Sequence, residues 1–500
     1  MLNFKKSVMN KSYLKTISRA IVACLIFSSC EAELDLPPVD EFSPENILLT
    51  QAGMESLLFS AYANDILPQG MVKNEILVNE ITTDMSYVRI GAVEREMTPF
   101  LNFNWDASDP FFQGPIWNTR YQAIRDANTV LENIDNTSIE ESTKQRIIAE
   151  ARYLRAAQYV FLYRYFGVVP LRTTTNQEEQ PQALPLPSQE EFESFVEDEL
   201  LTAAENLLVP AEQSQRGRAT KGHAYAVLTK FLMQTRQWQK VVEVTGQLMN
   251  LNYYELYPDY RELFFVENEG NNREIIVTWS YANEAGFGNQ FQNGAFPPGF
   301  LEAEKIPEFT WDPSMANWAT QFSIKDGFYD SFALEDDRRN AIIETYTNRG
   351  GNMVELRSTP DNLRSLKYFD NNQVGNFSGS DFPYIRYADI LLSRAEALNE
   401  LNGPTQEAVD LVNQVRTRSI EDPYTLAEVA GTDSFNDLIL QERGWEFYSE
   451  GKRREDLIRH DKFIQYAQDR GLNAQSHQIL FPYPQGEINT NPELTQREGY

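Results

Sequence analysis

Residues 387–419, YADILLSRAEALNELNGPTQEAVDLVNQVRTRS, decide the fold. Apolar side chains recur every three or four positions on either side of a short break. Gly403 is placed to stop one helix and Pro404 to start the next, so the stretch reads as two helices folded back on each other. Residues 218–250, RATKGHAYAVLTKFLMQTRQWQKVVEVTGQLMN, follow the same plan. There Thr220 is suited to cap the first helix, and the Arg236–Gln237 region supplies the turn. Each pair is about as long as a tetratricopeptide unit, with alanines where helices must pack closely. The two copies are only weakly alike, which predicts helical hairpins stacked as a scaffold, not a regular solenoid.

Outward from these pairs the pattern alternates between helix and long loop. Helical spacing starts near Thr50, with Met54, Leu57, Leu58 and Tyr62 on one face. It resumes at 114–134, where Pro115 suits a first turn, and again over IEESTKQRIIAEARYLRAAQYVFLYRYFG, 139–167, which Gly167 closes. Residues 82–112 and 172–190 read as irregular. REIIVTWSY, 273–281, alternates like a short strand. The Gly-, Asn-, Phe- and Pro-rich run 285–321 is a long loop, and a long loop with many aromatics points to function. Residues 435–468 read as helix and 479–500 as an irregular tail.

The front of the chain carries an export signal: five basic residues (Lys5, Lys6, Lys11, Lys15, Arg19), the apolar run Ile21–Phe27, then Ser28 and Ser29. That run is far shorter than the roughly 20 residues a spanning helix needs. Cys30 directly follows and is placed for lipidation. Phe27 stands where such signals usually have Leu, Cys24 offers a competing site, and a plain secretory signal is the alternative. Cleavage before Cys30 leaves 500 − 29 = 471 residues, enough for two or three domain-sized units. Lys plus Arg is 44 and Asp plus Glu is 73, a net charge of −29. Such a chain repels phosphate backbones and anionic lipid, so nucleic-acid binding is excluded and membrane attachment falls to the acyl chains. Cys24 and Cys30 are the only cysteines, so the exported part has neither a disulfide nor a thiol nucleophile.

Seven blocks, taken in order, resemble the SusD/RagB family of outer-membrane nutrient-binding lipoproteins of the Bacteroidetes. They are Cys30 followed by LDLPP; ARYLRAAQYVFLYRYFGVVPL, 151–171; RATKGHAYAVLTKFL, 218–232; YIRYADILLSRAEALNE, 384–400; VNQVRTRS, 412–419; ILQERGWEFYSEGKRREDLIRH, 439–460; and the tail FPYPQGEINTNPELTQREGY, 481–500. His223 and Arg497–Glu498 depart from the family's usual residues. The resemblance implies a mainly α fold of tetratricopeptide-like hairpins with irregular ligand-facing loops and a few short strands. It divides the chain into a signal (1–29), a lipidated cysteine and tether (30–48), an N-terminal region (49–215), a connecting hairpin (216–269) and a C-terminal region bearing the loops (270–500). It also implies a partner, a SusC-like TonB-dependent outer-membrane channel, and a lid that captures an oligosaccharide on the cell exterior. A peptide-binding lid of the RagB kind and a surface glycan hydrolase are the alternatives.

No catalytic motif stands out. His223, His460 and His477 are scattered without ligand spacing, so no metal site is expected, and bound calcium is not legible. GxSxG, GxxxxGK[ST] and GxGxxG are missing. The mixed-charge run from Glu442 to Asp456 reads as salt bridges between helices, not a catalytic pair. No cofactor is expected beyond the diacylglycerol and fatty acyl groups on Cys30. The binding candidates are aromatics in loops, because sugar rings stack on flat apolar faces: Trp105, Phe287, Phe291, Phe296, Trp311 and Trp318, with Asp106, Asn289 and Asn293 as hydrogen-bonding neighbours.

Overall fold

A computed structural model describes residues 48–66, 71–89, 92–270, 272–318, 321–429 and 431–500. The signal, Cys30 and the tether up to residue 47 lie outside the described residues. The principal helices are α1 (Gln51–Asp65), α2 (Met71–Ile81), α3 (Ala92–Leu101), α4 (Thr119–Asn133), α5 (Glu141–Phe166), α6 (Gln189–Asn206), α7 (Lys221–Gln234), α8 (Trp238–Met249), α9 (Tyr387–Asn402), α10 (Gln406–Arg416), α11 (Thr432–Phe447), α12 (Arg453–Arg459) and α13 (Gln485–Thr490). The protein is mainly helical, as its sequence suggests. Helices α1, α4, α5, α6, α7, α8, α9 and α10 pack each against the next in one continuous stack. The stack runs straight across the 137 residues between α8 and α9, which leave it and return.

Local chemistry sets the hairpin ends. The Thr220 amide donates to Nδ1 of His223 at 3.3 Å, closing a capping box at the start of α7. Burial pushes the His223 imidazole down to about 4, so the ring stays neutral and its Nδ1 stays an acceptor. Arg236 makes the α7–α8 turn at φ +56°, and Gly403 ends α9 at φ +75°. Pro404 precedes the next helix instead of opening it. Thr405 is the cap, its hydroxyl accepting the Ala408 amide at 3.2 Å. Leu391, Leu392, Ala395, Val409 and Val412 of the pair form one apolar core with Phe435 of α11.

Two stretches differ from their sequence reading, and a third, 435–468, is helical as expected but broken into pieces. Residues 82–112 contain α3, whose few buried apolar residues, including Met97 and Phe100, are diluted by charges and by the internal Pro99. Residues 435–468 are not one helix. The chain breaks between α11 and α12, where Ser449 and Gly451 take positive φ, +60° and +66°. A Cβ at Gly451 would stand 3.3 Å from the Ile76 Cα, so the break is set by close approach to α2. The tail holds the short α13. Of the strands, β1 (Ser86–Tyr87) pairs antiparallel with β3 (Ser323–Ile324), and β2 (Ile275–Trp279) pairs antiparallel with β4 (Phe382–Arg386).

The helices meet around buried ion pairs. Arg386, at the end of β4, bonds Glu446 at 2.9 Å, Glu450 at 2.7 Å, and Glu274. Arg338 reaches Asp336 at 2.7 Å and Glu442 at 2.6 Å. Asp389 of α9 takes Arg443 at 2.8 Å and Lys452 at 3.2 Å. Glu455 of α12 holds Lys230 of α7 and, at 3.2 Å, Arg164 of α5, which also bonds Glu75 of α2. The charge run 442–456 is therefore a structural lattice, as expected. Removing one member of such a group strands a buried opposite charge, which costs about 3–5 kcal/mol.

Burial alone would raise the Glu455 carboxyl, but Lys230, Arg164 and Lys452 hold it down at about 2. Unfolded, it titrates near the ordinary 4.5. Its contribution is thus complete above pH 4.5 and lost as the pH falls towards 2, a change of about 3 kcal/mol. Chemical denaturation across this range should show that Glu455→Gln is less stable than wild type near neutral pH and has an acid limb shallower by one proton. An unchanged slope would remove Glu455 from the acid response.

Candidate functional site

Segments 282–296, 311–318 and 370–381 are knit into one surface by a few buried polar groups. Asn293 lies at the centre. Its buried Nδ2 donates to the carbonyls of Ala316 at 3.1 Å and Gly375 at 3.4 Å, and its own carbonyl accepts the Trp318 amide at 2.9 Å. The Gly375 carbonyl also takes the Ala316 amide at 2.8 Å and Gln373 Nε2 at 2.7 Å. A tight turn follows, closed by reciprocal amide bonds between Val374 and Phe377 of 3.1 and 3.0 Å.

Asn289 does the same work on the other side. It exchanges backbone bonds with Ser378 at 2.9 and 3.2 Å, donates its side chain to the Ser380 carbonyl at 2.7 Å and accepts the Phe291 amide at 2.8 Å. Between them, a Cβ at Gly288 would fall 2.4 Å from the Phe377 Cα. Only glycine lets these two segments touch.

The candidate aromatics divide sharply. Trp105 is 4% exposed, stacked 5.7 Å from Phe100, and donates Nε1 to the Tyr500 hydroxyl at 2.8 Å. Asp106 is exposed and turned back onto the Ser108 amide at 2.7 Å. Phe100, Tyr500 and Ser108 all lie outside the three segments. Phe291 is buried against Phe322 and Tyr368, and Phe296 against Phe300, Phe309 and Trp311. Trp311 is 8% exposed, with the Arg349 guanidinium 5.3 Å above its ring. The reading of these four rings as free loop aromatics does not match their placement: Phe291, Phe296 and Trp311 fill the interior beneath the loops, and Trp105 is buried against Phe100, Phe103 and Phe481. Asn289 is likewise a buried tie.

Phe287, 67% exposed, and the half-buried Trp318 do face outward. The fold adds residues the sequence did not single out: Val374 at 56% exposure and the half-buried Phe377 beside Gly288. Tyr87 on β1, opposite Ser323, is half-buried as well, with the Arg89 guanidinium 5.3 Å over its ring. The Gly/Asn/Ser-rich setting of Phe377 was the available signal, since a lone aromatic among turn residues has little core to join. The result is apolar ring faces set among fixed backbone groups.

One carboxyl pair borders these loops. Burial and the neighbouring Asp381 push Glu269 up to about 8. Glu269 accepts the Asp381 amide at 2.8 Å, while Asp381 accepts the Tyr281 amide at 2.8 Å, the Ser280 hydroxyl at 3.2 Å and Arg216 at 2.5 Å. Both groups are occupied as loop ties. Among the described residues, no cluster of three or more His, Cys, Asp or Glu side chains could hold a metal, and no helix is long and apolar enough to cross a membrane.

A stack of helical hairpins that displays a loop-built face belongs to the class of helical-repeat binding scaffolds. The chain is a member of the SusD family, whose model matches residues 233–500, while residues 34–233 match the family described as "Starch-binding associating with outer membrane". It is 26% identical to SusD-like protein P25 of Formosa agariphila, over 95% of this chain and 97% of that protein. It is 23% identical to the starch-binding protein SusD of Bacteroides thetaiotaomicron, over 98% and 100%. Among solved structures, a laminarin-binding SusD-like protein superposes with a TM-score of 0.75 at 23% identity, covering 90% of this chain and all of the other. Surface glycan-binding protein A of Bacteroides thetaiotaomicron, in complex with laminarihexaose, gives 0.72 at 18% identity, covering 89% and 99%.

Gly288→Ala should force the loop segments apart without unfolding the helices. Hydrogen exchange should accelerate at the Asn289 and Ser378 amides and stay unchanged in α9 and α10. Unaltered protection at Asn289 and Ser378 would show that the glycine is not the limiting contact.

Proposed function

We propose that this protein is a lipid-anchored outer-membrane binding protein that captures an oligosaccharide and passes it to a SusC-like TonB-dependent transporter. The observation that carries this reading is membership of the SusD family, with the second match running from residue 34, just behind Cys30, to residue 233. The names of the relatives support a glycan as ligand: one is a starch-binding protein, one binds laminarin, and one was solved with laminarihexaose. The loop face supports capture without covalent chemistry. Its outward rings, Phe287, Trp318 and Phe377, offer apolar faces to the C–H faces of sugars. The Glu269–Asp381 pair is committed to holding backbone, which leaves catalysis without a free acid–base pair there. Anchoring rests on Cys30, whose acyl chains would hold the protein at the membrane while the loops meet ligand.

Two measurements test this. Full-length protein, gently solubilised from outer membranes, should co-purify with a large TonB-dependent β-barrel at about one to one. Recovery of the protein alone, where control complexes survive, would refute the transport half. In calorimetric titration with laminarihexaose and maltohexaose, Trp318→Ala should weaken binding at least tenfold, about 1.4 kcal/mol, with unchanged melting. Wild-type affinity in that variant would take the loop face out of the binding site.

A further inference from the structure

A ligand-sized space lies apart from the loop face and shares no residue with it. It is a cleft of about 470 Å3 between the first half of α4, the loop 170–182 that follows α5, and α13 with Asn491. That volume lies within the roughly 300–1,000 Å3 of small-ligand sites. Resting on the glycan-binding reading above, we infer that this cleft is a separate binding site for a neutral sugar segment.

The walls are built and rigid. The Tyr121 hydroxyl donates to the Pro170 carbonyl at 2.8 Å, and Asn128 Nδ2 donates to the Arg172 carbonyl at 3.0 Å. The Arg172 amide donates to the Tyr159 hydroxyl at 2.7 Å. Gln180 Oε1 accepts the Thr173 and Thr174 amides at 2.9 and 3.3 Å, and Glu132 accepts the Thr175 amide at 2.5 Å. On the opposite side, Asn491 Nδ2 donates to the Leu184 carbonyl at 2.8 Å. A loop held at this many points is preorganised, so a ligand that enters loses little to ordering it.

The charge balance selects the ligand class. Arg125 is paired with Asp126 at 2.9 Å, and Arg172 is turned onto the carbonyls of Pro181, at 3.0 Å, and Gln182. The carboxyl lining the cleft is Glu487, which burial holds above the usual carboxylate range against hydrogen bonds from Gln113 and Trp117. The two guanidinium groups, Arg125 and Arg172, are matched in number by Asp126 and Glu487, so the cleft carries no net charge of either sign with which to select an ion. Neutral polar groups do remain: the amides of Gln122 and Gln182 line the space from exposed side chains, and Thr490, whose hydroxyl donates to the Gly486 carbonyl at 2.9 Å, keeps its oxygen as an acceptor. Half-buried Tyr121, tilted 41° against Trp117 with ring centres 5.1 Å apart, gives the floor an aromatic component. Uncharged donors and acceptors around an aromatic floor suit the hydroxyls and C–H faces of a sugar. The cleft is thus a second contact point for a glycan chain, or for a second chain, on the same molecule.

The test blocks the cleft from exposed positions that the folded core does not use. Full-length protein in detergent is titrated with laminarihexaose and with maltohexaose, using wild type, Gln122→Trp, Thr490→Trp and Trp318→Ala. At least one hexasaccharide should occupy two sites on wild type. Each cleft-filling variant should lose one of them, by at least tenfold in affinity with unchanged melting, and Trp318→Ala should retain that same site. If both cleft-filling variants bind the two sugars as wild type does, including the case where wild type binds neither, the inference is overturned. Loss of all binding in Trp318→Ala with none in the filled variants would leave the loop face standing and remove the cleft. The reverse pattern would keep the cleft and remove the loop face.

Discussion

Buried ion pairing is the constraint on which this fold turns. Glu75 on α2, Arg164 on α5, Lys230 on α7, Asp389 on α9, Arg443 on α11 and Glu455 on α12 belong to helices far apart in sequence, yet they meet in one interior. Apolar packing between neighbouring helices would tolerate slippage by a residue or a turn. A desolvated guanidinium between two carboxylates does not, because any shift leaves an unpaired buried charge. The lattice therefore fixes the register of the stack. Through Arg386 it also ties down β4, and with it the last of the three segments that make the outward face.

The scaffold and its ornament were legible to different degrees, for physical reasons. The hairpins showed in the sequence because helix periodicity and end signals are local: Gly167, Thr220 and Gly403 each act within a few residues. The charge run 442–456 announced ion pairs, but its partners were hidden, since Arg386 lies 64 residues from Glu450 and Arg164 lies 89 from Glu75. Nothing local encodes such pairs. The loop aromatics misled for a related reason. Trp105, Phe291, Phe296 and Trp311 sit among turn residues, and loop chemistry suggests exposure. In a chain with a long excursion between α8 and α9, Phe291, Phe296 and Trp311 supply the excursion's own core, while Trp105 joins the rings of Phe100, Phe103 and Phe481. Phe287 and Trp318 differ from them only in the company that tertiary structure provides.

That excursion separates support from display. Its segments are joined through backbone carbonyls gathered by the buried amides of Asn289, Asn293 and Gln373. Carbonyls are present whatever the side chain. The outward positions beside these ties, such as Phe287, Val374 and Phe377, can therefore change without disturbing the joints. A single close approach at Gly288 keeps two of the segments in contact.

The interior lattice also shapes what surrounds the molecule. Arg120, Arg338, Arg364, Arg386, Arg443 and Arg454 are fully buried, and several neutralise carboxylates there. Pairs that cancel inside add nothing to the outer field. The excess of 29 negative charges in the chain is consequently carried outside the buried lattice, in the solvent-facing shell. At physiological salt that field is felt over about 8 Å. A polyanionic chain drifting towards the loops does work against it over the last few ångströms of approach, whereas an uncharged polymer arrives by diffusion alone. Charge withdrawn into the core to hold helices in place thereby becomes a filter on which molecules come close enough to be bound.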